Sequence, residues 1–233
     1  MKKSSCILLV LIGCLCACTD RQKVLTPTET HELAPYSYVV VNGRRTAMHI
    51  ALVQTPDAYI IGFRSRHPDS LRWSVRNDTL CISVPKGVRY TYHITLCAPL
   101  FRSIHAGLVK TLCTPDTLCQ DTIKVEAHLV EQLQLNVHVA QLRTLHRVNK
   151  KARLAGTADV AYLGNSFADV DLDASQLQAK NMYFCMGEGK AKLNVSDSLW
   201  IHETFDSQIT YVGSPQIMEC NLKYSILKNA LFY

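Results

Sequence analysis

The sequence lacks an apolar run long enough to cross a membrane as a helix. Its N-terminal apolar stretch covers residues 6–15 and gives way to the polar residues 19–22, TDRQ. A membrane-spanning helix needs about 20 consecutive apolar residues. The stretch is therefore too short for a transmembrane helix and has the length of the apolar region of an export signal.

Glycine, proline and charged residues are also scarce. The 233 residues include 10 Gly and 8 Pro, which excludes collagen-like and low-complexity chains. Charged residues make up 19% and apolar residues 48%, which excludes a disordered chain. The formal charge of +6 falls to +4 without Lys2 and Lys3, so no nucleic-acid partner is expected. The length allows one or two domains.

Sequence motifs for catalysis and cofactor binding are missing as well. The chain has no G-x-S-x-G motif, no Gly-rich phosphate loop, and neither the C-x-x-C nor the H-x-x-x-H spacing of a zinc site. We therefore expect a protein that is not an enzyme and that uses no cofactor or metal ion.

The first residues read as a signal peptide with an acylation site. Two lysines precede the apolar stretch, and residues 15–18, LCAC, resemble a bacterial lipobox. The resemblance implies removal of residues 1–17 and diacylation of Cys18, with Cys14 as the alternative acceptor. Several acyl chains give stable anchoring, so the membrane is the predicted partner of this end. The predicted location is the cell envelope: the outer membrane, facing the periplasm or the cell surface.

A tether and a folded body follow the signal. Residues 18–34 are polar, with several threonines and no apolar period, and they predict a flexible tether. Residues 35–233 form the predicted domain.

Six cysteines lie in the body, and sequence cannot choose among their 15 pairings. Only Cys113 and Cys119 lie close together, at the two ends of a short loop that a disulfide could close. The alternative, which we favour, is that most of the six are unpaired and occupy strands as small hydrophobic residues.

The body is predicted to be all-β. Asn42-Gly43 and Asn77-Asp78 are turn signals between β-rich runs, and both predict hairpins in the N-terminal part. Residues 133–139, LQLNVHV, alternate apolar and polar side chains, which is the period of a strand. A helix over residues 127–148 is the rival interpretation, and the strict alternation argues against it.

Turn-forming segments recur at steps of about 20 residues from residue 105 to residue 224, with short apolar β-runs between them. The first three segments are HAG at 105–107, EAH at 126–128 and RVN at 147–149. A period of this length predicts a β-solenoid, in which each coil buries its apolar side chains against its neighbours.

Several stretches resemble the head GIN domain family, adhesin-like lipoproteins of gut anaerobes. They are residues 80–87 (LCISVPKG), 98–107 (APLFRSIHAG), 193–199 (LNVSDSL) and 211–215 (YVGSP). The resemblance covers residues 35–233 and implies a right-handed parallel β-solenoid, a role at the cell envelope and no catalytic residues. The chain departs from the family in its corners, where HAGL, EAHL or TFDS replaces the usual SGAS-like sequence.

Three alternating acids are the strongest candidates for chemistry. Asp169, Asp171 and Asp173 would point to the same side of a strand, where carboxylates can bind Ca²⁺ or serve a β-helix polysaccharide lyase or hydrolase. The alternative, which we favour, is a solvated outer face. No basic residue stands beside the acids in the sequence.

Aromatic residues near the C-terminus are the candidates for ligand binding. Trp200, His202 and Tyr211 could present a surface to a glycan or a protein, although aromatic side chains on strands more often pack against the core. The basic residues from Arg143 to Arg153 could face an acidic glycan or a lipid headgroup, or simply form a solvated turn.

The sequence therefore predicts a lipid-anchored envelope protein that presents a β-solenoid surface for adhesion or binding. The two alternatives are a polysaccharide-cleaving enzyme that uses the three aspartates and a structural envelope protein. The structural protein would form homo-oligomers through an exposed sheet edge at one end of the solenoid.

Overall fold

The computed structural model describes residues 27–43, 47–63, 71–85, 91–147 and 151–230. Strands make up 79% of the structure, and the described ranges contain no helix. It follows that these ranges also contain no helix suited to crossing a membrane. The predicted all-β class is confirmed.

Fifteen strands form one hydrogen-bonded sheet that winds into about six turns of a β-solenoid. The first seven strands are β1 (Pro27–Glu32), β2 (Tyr38–Asn42), β3 (Ala47–Gln54), β4 (Tyr59–Phe63), β5 (Arg72–Arg76), β6 (Thr79–Ser83) and β7 (Thr91–Ala98). The other eight are β8 (Ser103–Gly107), β9 (Thr111–Cys113), β10 (Leu118–His128), β11 (Gln132–Arg147), β12 (Lys151–Phe205), β13 (Ser207–Val212), β14 (Gln216–Lys223) and β15 (Ile226–Asn229).

Parallel pairing between successive coils begins at β8. Residues of β8 pair with residues 21 positions later in β10. The step is 19 from β10 to β11 and from β11 to β12, and 18 from β13 to β15. β12 is long because its strand conformation continues through more than one coil. The predicted repeat of about 20 residues is thus the length of one coil.

The core runs along the inside of the coils. β10 and β11 alternate buried and exposed residues, as strands with one buried face must. Fully burying one large apolar side chain contributes about 1.5–3 kcal/mol. The largest fully buried side chains include those of Phe101, Phe184, Met48, Ile50, Leu52 and Ile104.

The N-terminal part mixes antiparallel and parallel pairing. β5 and β6 form an antiparallel hairpin whose turn residues, Asn77 and Asp78, have φ angles of 48° and 60°. Positive φ at both central residues matches a type I′ hairpin turn, so this predicted hairpin is confirmed. β4 is antiparallel to both β1 and β7.

The hairpin expected at Asn42-Gly43 is wrong. β2 pairs in parallel with β6 and β8, whereas β3 pairs in parallel with β7 and β9. A Cβ on Gly43 would lie 2.3 Å from the carbonyl oxygen of Leu108. Glycine is therefore needed here for close backbone approach as the chain passes between two parts of the sheet, not for a two-residue turn.

Residues other than glycine form several solenoid corners. Leu108, Leu129, Asp206 and Tyr224 have φ angles of 56°, 54°, 47° and 55°. The amides of Leu108 and Leu129 donate to carbonyl oxygens of the next coil, at 2.9 and 2.8 Å. The corners keep a left-handed conformation despite their unusual sequence, at a cost of roughly 1–2 kcal/mol for each such residue.

Other expectations from the sequence meet the structure as follows. β11 is extended over Gln132–Arg147, so the rival helix is wrong. All six cysteines of the body are unpaired, including Cys113 and Cys119. β1 pairs with β4 inside the segment predicted as a tether, because its extended backbone completes that edge of the sheet. Cys14 and Cys18 lie outside the described residues.

Candidate ligand-binding surface

Three aromatic rings stack on the outer surface of β12, one from each of three successive coils. The ring centroids of Tyr162 and Tyr183 are 4.7 Å apart, and those of Tyr183 and Trp200 are 4.4 Å apart. Both pairs are within 9° of parallel. The spacing follows from the fold, because paired strands lie about 4.8 Å apart. We call Tyr162, Tyr183 and Trp200 the aromatic column.

Cationic and ionisable groups stand at the two ends of the aromatic column. The guanidinium carbon of Arg143 lies 4.5 Å from the ring centroid of Tyr162, which is cation–π geometry. Lys124 pairs with Arg143 one coil further along. At the opposite end the ring of His202 lies 5.8 Å from that of Tyr183, and its Nδ1 is 3.1 Å from a carboxylate oxygen of Glu219.

Stacking leaves one ring of the column open on a face. Tyr183 is covered on both sides by Tyr162 and Trp200, and Tyr162 is covered by Tyr183 and Arg143. Within the described part of the chain, only Tyr183 stacks on Trp200. The column can therefore offer a planar ligand one face of Trp200, together with the edges of the two tyrosines.

A shallow groove of about 260 Å³ runs beside the aromatic column. Its floor includes Leu145 and Gly164, and the Cβ of any residue replacing Gly164 would lie 3.3 Å from Cδ1 of Leu145. Lys124, Arg143 and His202 also line it. The groove is thus an apolar slot with two permanent cations at one end. We call it the basic groove.

The basic groove also contains the exposed thiol of Cys185. Burial, followed by the nearby charge of Glu203, raises the pKa of this thiol above its ordinary value. A thiol with a raised pKa remains protonated at neutral pH, so Cys185 is not suited to nucleophilic chemistry.

A larger groove of about 880 Å³ crosses other strands of the same coils. Several polar side chains in it are already paired with one another. Lys180 Nζ lies 2.7 Å from Asp159 Oδ1, and Asn194 donates to the carbonyl oxygen of Ser175 at 3.1 Å. These partners would have to be given up to bind a ligand, so this groove is the weaker candidate.

The aspartates proposed for cation binding line neither groove. Asp171 is exposed. Asp173 accepts hydrogen bonds from the hydroxyl and the amide of Ser175, at 2.6 and 3.1 Å. Burial acts to raise the Asp173 pKa, but these bonds, together with Lys192 and Arg153, leave it below its ordinary value. The Asp169 side chain lies outside the described residues.

The structure brings two of the three predicted ligand-binding residues together. Trp200 and His202 both flank Tyr183. Tyr211 lies instead on β13, where it pairs with Leu193 and Asn229 and packs against the core.

Sequence reasoning missed Tyr162 and Tyr183 as site residues, although their separation of 21 residues equals one coil of the predicted repeat. Each tyrosine alone reads as an ordinary strand residue. The coil length used as an alignment step would have placed both of them below Trp200.

Comparison with known families gives one match. The family model described as "Putative auto-transporter adhesin, head GIN domain" matches residues 64–215, which is more than half of the chain. No curated protein matches the chain at a significant level.

Solved structures share the fold. A crystal structure described as a putative adhesin from Bacteroides fragilis superposes with a TM-score of 0.78 at 19% identity, covering 87% of this chain and 95% of the other. A second, described as a putative lipid binding protein from Parabacteroides distasonis, gives 0.60 at 14% identity, covering 87% and 96%. A putative adhesin from Parabacteroides merdae gives 0.57 at 14% identity, covering 87% and 95%. At these identities the similarity establishes the fold alone.

Proposed function

The chain belongs to the head GIN domain family of auto-transporter adhesins, and from this premise we propose that it is a non-catalytic binding protein of the cell envelope. It is anchored through acylated Cys18 and recognises an anionic glycan. The ligand lies over the aromatic column and in the basic groove. The adhesion-type role and the envelope location draw support from the family, and the ligand class from the surface chemistry.

The observation that carries the ligand class is the position of Arg143. Its guanidinium group lies over the outer face of Tyr162, next to Lys124 and at the mouth of an apolar slot. A guanidinium group binds carboxylate and sulfate oxygens through two parallel hydrogen bonds. The open face of Trp200 suits the apolar face of a sugar ring. A glycan that carries acidic groups would satisfy both features together.

The surroundings of the aspartates argue against the lyase alternative. A general base must be within hydrogen-bond reach of the proton that it removes, with a pKa near the working pH. Asp173 has a lowered pKa and is held by Ser175, and neither Asp171 nor Asp173 lines a groove. A carboxylate that is already ionised and hydrogen-bonded is a weak base.

Binding to polygalacturonate, with uncharged dextran as the comparison, tests the proposal. We expect saturable binding of the acidic polymer that weakens as salt is added, because the cations are exposed. Trp200→Ala and Arg143→Gln should each weaken it about tenfold, which corresponds to about 1.4 kcal/mol.

His138→Ala is the matched control, because His138 is exposed and lies in the larger groove. It should bind polygalacturonate as the wild type does. Equal binding of both polymers, or wild-type affinity in both Trp200→Ala and Arg143→Gln, would refute the proposed surface.

A further inference from the structure

A second cluster of functional side chains lies on β8 and β10, beside the basic groove. His105 on β8 pairs directly with Glu126 on β10, and His128 pairs with Gly107. Because Gly107 has no side chain, the ring of His128 can lean towards His105, and the two ring centroids are 5.0 Å apart. The parallel register thus gathers three potential metal ligands from two coils.

The distances in this cluster suit a transition-metal ion. One ligand atom from each of His105, Glu126 and His128 can be chosen so that all three lie within 4.8 Å of one another. Nδ1 of His105 and Oε2 of Glu126 are 3.1 Å apart. Two ligands of a tetrahedral zinc ion, each about 2.0–2.2 Å from the metal, lie roughly 3.3 Å apart. This pair needs almost no movement to bind such an ion, and His128 needs a small side-chain rotation.

The protonation states also suit metal binding. Hydrogen bonds from Lys124 and His105 hold the pKa of Glu126 below its ordinary value, so it is a carboxylate at neutral pH. Burial, followed by the charges of His105 and Arg147, lowers the pKa of His128. A neutral imidazole and a carboxylate are the forms in which these groups bind metal ions.

We propose that His105, Glu126 and His128 form a binding site for a divalent transition-metal ion of the Zn²⁺ class. Two imidazoles and one carboxylate suit Zn²⁺, whereas Ca²⁺ and Mg²⁺ prefer sites built from oxygen atoms. Three protein ligands leave at least one coordination position open to water or to an external ligand. The inference is independent of the glycan proposal, because none of the three residues lines the basic groove.

Lys124 sets the strength of this site. Its Nζ lies 2.6 Å from Oε1 of Glu126, the carboxylate oxygen that does not face His105. The ammonium group can stay in place while Oε2 binds the metal, and it holds the carboxylate in position. Its positive charge opposes the incoming cation, however. Removing that charge should therefore tighten metal binding.

The test is a calorimetric titration of the full-length chain, purified without a histidine tag, with zinc chloride. We expect one ion per chain and no comparable heat from calcium or magnesium chloride. His105→Gln and His128→Ala should each weaken the binding at least tenfold, and Lys124→Gln should strengthen it several-fold. His138→Ala is the matched control and should leave the affinity unchanged. Thermal unfolding of each variant without metal verifies that it is folded.

The cysteines are the competing ligands, and cobalt distinguishes them from the proposed site. Co²⁺ bound by imidazole and carboxylate gives weak visible bands, whereas cysteine ligands add an intense near-ultraviolet charge-transfer band. We expect the visible bands alone, and their loss in the His105→Gln/His128→Ala double variant. Absence of zinc binding, a thiolate band, or unchanged affinity in a folded double variant would each overturn the assignment.

Discussion

His146 is the most unusual single residue of the core. Its ring is fully buried on the inner face of β11, and neither ring nitrogen has a hydrogen-bond partner among the described residues. Burial lowers its pKa from 6.5 to about 4. The folded protein therefore keeps a neutral imidazole where the unfolded chain would take up a proton.

The sign of the resulting pH effect follows from proton linkage. Below pH 6.5 the unfolded state binds more protons at His146 than the folded state does, so the free energy of unfolding decreases as the pH falls towards about 4. The full shift corresponds to at most about 3 kcal/mol. His49, His93 and His128 also have lowered pKa values and act in the same direction.

His146→Leu should raise the free energy of unfolding at neutral pH by about 1–2 kcal/mol, because it replaces an unpaired polar ring with an apolar side chain. The variant should also lose less stability than the wild type between about pH 7 and about pH 5. Urea unfolding at both pH values measures the two effects. His138→Leu, at an exposed site, is the control, and a wild-type pH slope in His146→Leu would contradict the account.

The residue scale also shows what sequence can and cannot predict about the site. Trp200 and His202 were identifiable, because an aromatic residue beside a polar stretch on a strand is a recognisable signal. The significance of Arg143 was not, because a basic residue near a turn usually faces water. Only its position over Tyr162 distinguishes it from an ordinary surface residue.

At the scale of the elements, the register between β11 and β12 depends on a glycine. Gly156 pairs with Val137 and has a φ of 102°. A Cβ at Gly156 would lie 1.9 Å from the carbonyl oxygen of Val137. The backbones of adjacent coils thus approach more closely here than any side chain allows.

Gly156→Ala should destabilise the protein by about 2 kcal/mol or more, because both the positive φ and the backbone clash oppose a methyl group. Gly107→Ala is the matched control, because its added Cβ would lie 3.6 Å from the nearest atom, the carbonyl oxygen of Val41. We expect the control to change stability by no more than about 0.5 kcal/mol. Urea unfolding measures both variants, and equal losses would show that the clash does not determine the effect.

Coils were easier to predict than the connections between them. The alternation in residues 133–139 requires a strand, and the spacing of turn segments gives the coil length. Asn42-Gly43 misled because a hairpin turn and a close crossing between coils both favour glycine. The two cases differ only in which strands pair, and strand pairing is a property of the whole chain.

At the scale of the whole molecule, the solenoid is a rod with one mixed end and one open end. Antiparallel strands complete the N-terminal part, whereas most residues of β14 and β15 are exposed. Among the described strands, β14 pairs only with β12, and β15 only with β13. Self-association through this end stays a prediction.

Anchoring at Cys18 is a prediction for the molecule in its membrane. Cys18→Ser should abolish incorporation of labelled palmitate and release the protein from the membrane fraction, because acyl chains supply the membrane affinity. Cys14→Ser is the matched control and should be labelled as the wild type is. Loss of label in Cys14→Ser alone would move the acylation site to Cys14.

The location of the ligand surface could not be predicted from sequence, because coil length varies between 18 and 21 residues. A shift of one residue turns a side chain from the surface to the core. The stacking of Tyr162 on Tyr183 therefore depends on the register of each coil, which no local pattern specifies.

The most direct test of the account uses the fluorescence of Trp200. The chain has two tryptophans, so Trp73→Phe leaves Trp200 as the only one. Titration of this variant with polygalacturonate should change its emission saturably, because the ligand covers the open face of Trp200. Added Arg143→Gln should shift the midpoint about tenfold, or about 1.4 kcal/mol. Emission that stays constant while polygalacturonate binds would show that the ligand lies elsewhere and would contradict the central claim.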